Sequence, residues 1–143
     1  MIKQLSVFVE NKFGRLAAIT NVLRENEIDI KALSLADTSD FGVLRLVVDK
    51  YEQAAMALTE HGVTVKYTDI IAAAMEDRPG GLAYILDTLT SAEISIEYMY
   101  AFMGKQDGKA WTVIRTNDLE KTVEVLHKAG IKTLDEAFKR LCQ

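Results

Sequence analysis

The chain has 143 residues, 49% of them hydrophobic, with 17 basic against 21 acidic side chains and a formal net charge of −4, enough to bury a core as one domain or as two small ones that share an interface. The charge divides evenly, −2 for residues 1–70 and −2 for residues 71–143, without the basic stripe that marks a nucleic-acid surface, so no nucleic-acid partner is expected. The longest apolar run, the six residues from Ile70 to Met75, falls far short of the roughly 20 that cross a bilayer, so no membrane partner is expected either.

Lys3 to Glu10 alternates, with Leu5, Val7 and Val9 on one side, as a half-buried strand does. Leu16 to Arg24 changes to helical spacing through Leu16, Ile19 and Leu23. Ile28 to Ala36 and Val43 to Val48 read as hairpin strands around Asp37-Thr38-Ser39-Asp40. A second helix is predicted over Tyr51 to Glu60, stopped by His61-Gly62, and a closing strand over Val63 to Tyr67. From Ile70 the same order returns: a strand to about Glu76, a helix over Leu82 to Ser91, and a strand over Ile94 to Phe102. A turn at Gly104 to Gly108, a strand over Ala110 to Thr116, a helix over Leu119 to Lys128 and a strand over Ile131 to Leu134 follow. A short terminal helix is expected at Asp135 to Leu141, with Ala137, Phe138 and Leu141 able to dock on the body.

The two halves repeat each other. Asn11-Lys12-Phe13-Gly14-Arg15-Leu16-Ala17 returns 66 positions later as Asp77-Arg78-Pro79-Gly80-Gly81-Leu82-Ala83, and Ile19, Leu23, Glu27, Ile28 and Ile30 return in register as Ile85, Leu89, Glu93, Ile94 and Ile96. After two extra residues in the second copy, Glu52, Leu58 and Gly62 reappear as Glu120, Leu126 and Gly130. A period near half the chain is duplication of one β-α-β-β-α-β unit, with domains expected at 1–69 and 70–143. The fold class expected is α+β, two ferredoxin-like sandwiches in tandem, each an antiparallel sheet with helices on one face.

The chemistry is concentrated in the strand-to-helix turn. Asn11 or Asp77 is placed to cap the helix, Pro79 to occupy its first turn, and Gly14 or Gly80 to let a ligand or another backbone come close. An open helix start can hold a carboxylate through its free N–H groups, and a neighbouring carboxyl or amide can accept from an ammonium group. A free amino acid carries both charges on one carbon. Taken alone, the motif fits an ordinary capped helix start as well as a ligand site.

Asp77-Arg78-Pro79-Gly80-Gly81-Leu82, between a strand and a helix, resembles the D/N-x-P-G-x-L signature of the ACT domain, and both halves of the chain share the resemblance. The first copy departs from it at Phe13, where the family has proline. The resemblance implies a non-enzymatic regulatory module that binds an amino acid or related metabolite where two such domains meet. The binding positions it implies are Asn11, Phe13, Gly14, Arg15 and Leu16 in one turn and Asp77, Pro79, Gly80, Gly81 and Leu82 in the other. At the start of the second strand it implies Asp29 and Ser95, which stand where the family has asparagine. A homodimer, a regulated enzyme and no cofactor are the matching expectations.

Other residues carry less. Arg15 faces Gly81 in the repeat, so only the first turn adds a guanidinium for a carboxylate. Tyr98, Tyr100 and Phe102 continue the alternation of Ile94 and Ile96, opposite Trp111, as a core face or an aromatic pocket would. His61 and His127 fall at helix ends, and Cys142 is the only thiol, so neither a zinc site nor an iron-sulfur centre is expected. The absence of a signal-peptide pattern and of a cysteine pair makes the cytoplasm the default location. Two other readings stay open: a small acylphosphatase-type hydrolase using Arg15 or Arg78, and an RNA-binding module, which would need aromatic-basic strand motifs that this acidic chain lacks.

Overall fold

A computed structural model describes residues 1–37, 40–105 and 108–134. The expected terminal helix at Asp135 to Leu141 and the Cys142 thiol lie outside them. By contacts between backbones the described residues divide into two compact units, one of Lys3 to Thr68 and one of the residues from Asp69 together with Met1 and Ile2.

The first unit contains β1 (Ile2–Glu10), α1 (Arg15–Glu25), β2 (Ile30–Asp37), β3 (Phe41–Val48), α2 (Tyr51–Glu60) and the start of β4 (Thr64–Met75). β3 is antiparallel to both β1 and β2, with Leu5 opposite Leu46 and Leu35 opposite Leu44, and β1 lies between β3 and β4. The alternation of β1 sends Leu5, Val7 and Val9 to the same side as Leu44, Leu46 and Val48 of β3. Ile19 and Leu23 of α1 and Ala54 and Leu58 of α2 cover that side, so both helices pack on one face. Ala54, Ala55 and Ala57 of α2 are buried, and its stop at His61-Gly62 is the predicted one.

The second unit uses the rest of β4 with α3 (Gly81–Ser91), β5 (Ile96–Ala101), β6 (Ala110–Thr116) and α4 (Leu119–Lys128). β6 is antiparallel to β4, with Ile71 opposite Ile114, and to β5. Ile71, Ala73, Ile85, Leu89, Ile114 and Leu126 form its core. The repeated Glu-Ile pairs have a common structural cause. Glu27 and Glu93 are left-handed, at φ 55° and 58°, and let the Ile28 and Ile94 amides donate to the Leu23 and Leu89 carbonyls at 2.9 and 3.0 Å. Each helix thereby closes with an apolar contact between those same residues.

Three expectations need correction. The strands expected at Val63 to Tyr67 and from Ile70 are one element, β4, because no glycine or proline interrupts the chain between Gly62 and Pro79. The strand expected at Ile131 to Leu134 is reduced to a single bridge of Thr133 to Ala73, with Ala74 N–H donating to Lys132 O at 2.8 Å and Leu134 N–H to Ala72 O at 2.9 Å. Finally, the alternation from Ile94 to Tyr100 is broken. A register shift between Ile96 and Tyr98 puts Met99 with Ile94 and Ile96 against the core, while Tyr98 and Tyr100 stack on each other with ring centroids 6.5 Å apart. An extra residue in one strand reverses the facing of everything after it.

Candidate ligand site

Between β1 and α1 the chain reverses through Asn11 to Gly14. The Arg15 N–H donates to Lys12 O at 3.3 Å across a turn whose third residue, Gly14, has φ 82° and ψ −3°. In the second unit the Gly81 N–H donates to Arg78 O at 3.0 Å, with Pro79 second and Gly80 third at φ 89° and ψ −9°. Those are the angles of the third residue of a type II turn, which favours proline before it and glycine at it. Pro79 therefore shapes the turn ahead of the helix and does not begin the helix itself.

The predicted caps are corrected in the same way. Asn11 and Asp77 make no cap bond, because the cap positions fall three residues later on Gly14 and Gly80, which have no side chain to offer. The consequence is a set of bare donors. Among the described residues, the amides of Phe13, Gly14, Leu16 and Ala17 meet no protein acceptor, nor do those of Gly80, Leu82 and Ala83. Gly81 has a different requirement: a Cβ there would run into the Glu76 carbonyl oxygen. The matching residue of the first unit is Arg15.

Each turn is flanked by ion pairs. Glu10 is bound by Lys12 at 3.1 Å and by Arg15 at 3.7 Å, and Glu76 by Arg78 at 2.6 Å. Asp77 is bound by Lys105 at 3.0 Å. The Lys12 hydrogen bond and charge, joined by the Arg15 charge, hold the Glu10 carboxyl below the ordinary glutamate range. A carboxyl lowered in the folded state stabilises the fold above its unfolded pKa, and that contribution is lost as pH falls through the folded value. Lys12→Met should move the Glu10 midpoint upward in an NMR pH titration of its side chain; an unchanged midpoint would remove Lys12 as the cause. Both arginines that a phosphate-cradling hydrolase could use are engaged with these glutamates.

In front of the first turn lies a cavity of about 350 Å³, lined by the turn from Asn11 through Ala17 and by Leu35, Asp37 and Gly42 of the hairpin. It brings together Asn11, Phe13, Gly14, Arg15 and Leu16. Phe13 projects fully into solvent, and Leu16 is 40% exposed. In the second unit Gly80 and Gly81 line a smaller cavity of about 210 Å³, whereas Asp77, Pro79 and Leu82 do not. Asp29 and Ser95 line none of these cavities.

Asp29 and Ser95 have a repeated backbone role that sequence reasoning missed. The Asp29 N–H donates to the Asp49 carboxylate at 3.0 Å and its carbonyl accepts from Asp49 N–H at 3.2 Å. Ser95 and Asn117 repeat the exchange, both bonds at 3.2 Å. The Asp29 side chain is held only by Lys31, at 2.8 Å. Glu10 and Glu76 were missed as well, and so were Leu35 and Asp37. Glu10 with Glu76, and Asp49 with Asn117, stand at corresponding places in the two halves, which was the available signal.

Over residues 1–140 the sequence matches the family model described as an ACT domain pair. The chain belongs to the ACT domain pair family. A similar solved structure is protein BT0572 from Bacteroides thetaiotaomicron, 38% identical over 92% of this chain and 90% of that one, with a TM-score of 0.85. The regulatory subunit of aspartate kinase from Thermus thermophilus is 16% identical over 89% of this chain and 91% of that one, with a TM-score of 0.64. The corresponding subunit from Thermus flavus, at 18% identity and a TM-score of 0.58, covers the same shares. These two share the fold of the ACT pair. No protein of curated function matches the chain.

His61 and His127 have structural partners in this ACT pair. His61 Nδ1–H donates to Ala57 O at 2.9 Å, and His127 Nε2 shares a hydrogen bond with Thr133 Oγ1 at 2.8 Å. Among the described residues no group of histidine, cysteine or carboxylate side chains could hold a metal ion, and no helix is long and apolar enough to cross a membrane.

Proposed function

We propose that this ACT pair is a non-catalytic sensor that binds a free amino acid or a closely related zwitterion and regulates a partner enzyme or pathway in the cytoplasm. The reading is carried by one observation: the unpaired amides of Phe13, Gly14, Leu16 and Ala17 border a 350 Å³ cavity. In this reading those amides, with Arg15, take the ligand carboxylate. The Asn11 side-chain oxygen accepts from its ammonium group. Leu16 and Leu35 supply an apolar wall for its side chain, and Phe13, wholly exposed on its own, is covered when the ligand or a neighbouring domain arrives.

By the repeat, Asp77, Pro79, Gly80, Gly81 and Leu82 form a second and unlike site, because Lys105 already occupies the Asp77 carboxylate and glycine replaces arginine at position 81. Asp29 and Ser95 contribute from an adjoining ACT domain, and a homodimer multiplies such junctions. Regulation follows by linkage: a ligand that binds one arrangement of the domains more tightly shifts the population toward it.

Equilibrium dialysis against the free amino acids, followed by thermal shift, tests the reading. Saturable binding of at least one of them, with a raised melting temperature, is expected. No binding at millimolar concentration and no thermal shift would remove the sensor role.

A further inference from the structure

Each unit carries a hollow behind the turn, walled by the end of its first strand, the opening of its first helix and the loop that leaves its second helix. Glu10, Arg15, Phe41 and Thr64 stand in the first hollow, of about 330 Å³, where Glu76, Gly81, Lys109 and Lys132 stand in the second, of about 210 Å³. Most wall positions correspond, although His61 lines only the first hollow and Arg78 only the second, and the charge differs. The first hollow has one guanidinium, Arg15, balanced by Glu10 at 3.7 Å. In the second, Arg78 is taken by Glu76 at 2.6 Å, and Lys109 and Lys132 have no anionic partner among the described residues.

The fold does not require those two ammonium groups, because phenylalanine and threonine serve at the matching positions of the first unit. The Lys132 side of the wall is also held in place. The Tyr84 hydroxyl donates to Ala129 O at 2.9 Å, tying α3 to the exit of α4 next to Gly130, Ile131 and Lys132. Two lysines without an anionic partner among the described residues match an acceptor-rich anion of more than one charge. A hollow of about 210 Å³ admits only a compact one, since drug-sized ligands occupy roughly 300–1,000 Å³.

We propose that the hollow behind the second turn binds a compact dianion, a small phosphate ester or dicarboxylate, through Lys109 and Lys132. This site is separate from the zwitterion cavity of the first unit and stands or falls without it. Amide NMR titrations with inorganic phosphate, succinate and chloride, at constant ionic strength and a pH where phosphate is doubly charged, test it. Saturable shifts are expected at Gly80, Gly81 and Gly130 through Lys132 with phosphate or succinate, but not with chloride, while Gly62 to Thr64 stay unmoved. The stronger of the two dianions identifies the ligand source.

The Lys109→Met/Lys132→Met variant should bind at least about tenfold more weakly, as the loss of one charge-assisted contact implies. Its amino-acid binding, read at Phe13 and Gly14, should be unchanged. Lys109→Gln alone, which keeps a polar side chain, serves as the second variant if the double one melts early. Failure of both dianions to saturate, equal shifts with chloride, or undiminished affinity in the lysine variants would overturn the proposal.

Discussion

Alanine at position 81 is expected to destabilise the protein by about 1–3 kcal/mol, the usual range when extra atoms are forced into a filled space. For a chain of this size that lowers the melting temperature by several degrees. The space that a Cβ would need is held by the Glu76 carbonyl oxygen, which belongs to the backbone just after β4 and cannot rotate aside. Either that strand end or the start of α3 must shift. Gly80 is the comparison: no atom lies within 4 Å of its missing Cβ, and its constraint is φ 89° alone. Gly80→Ala should cost about 1–2 kcal/mol through the left-handed backbone, and Gly80→Asn less, because asparagine tolerates that region. Gly81→Asn should recover nothing relative to Gly81→Ala. Calorimetry of the four variants decides it, and wild-type melting in Gly81→Ala would mean that strand and helix do not approach so closely.

Gly14→Ala is expected to weaken amino-acid binding at the first turn by at least about tenfold, or roughly 1.4 kcal/mol. Its new methyl would stand in the open space beside the bare amides, where the proposed site places the ligand carboxylate. Gly62→Ala is the matched control. Gly62 is also left-handed, at φ 78°, and also has open space at its Cβ, so the backbone penalty is similar but falls away from the 350 Å³ cavity. Calorimetric titration of both variants with the amino acid bound by the wild type separates the outcomes. Equal losses would indicate general destabilisation, and an unchanged affinity in Gly14→Ala would take the ligand off those amides.

Much of the fold was legible because local and tertiary signals agree. α2 and α4 begin and end where helical spacing meets a stop, and the Leu23 to Ile28 and Leu89 to Ile94 closures show why those residues recur. The turn was legible as a motif but not as a geometry: proline beside glycine is compatible with a helix opening or with a type II turn, and only the backbone angles choose. The register shift at Ile96 to Tyr98 has no residue signature, because a bulge is a property of pairing between strands. Gly81 entered only as a binding position implied by the resemblance, and its packing requirement against the Glu76 carbonyl was not legible, because it depends on how closely the strand end approaches the helix. The cavity was illegible because Leu35 and Asp37 reach it from a distant hairpin.

Asp49 and Asn117 keep the chain in place by gripping Asp29 and Ser95 at those two residues' main-chain atoms alone. The scaffolding duty thus belongs to the holder, and the side chain of the residue being held takes no part in it. One copy can carry an acid there and the other a hydroxyl with the sheet unaltered. After a gene duplication such a position drifts cheaply, so two modules with a shared skeleton can acquire separate tastes without first having to relearn how to fold.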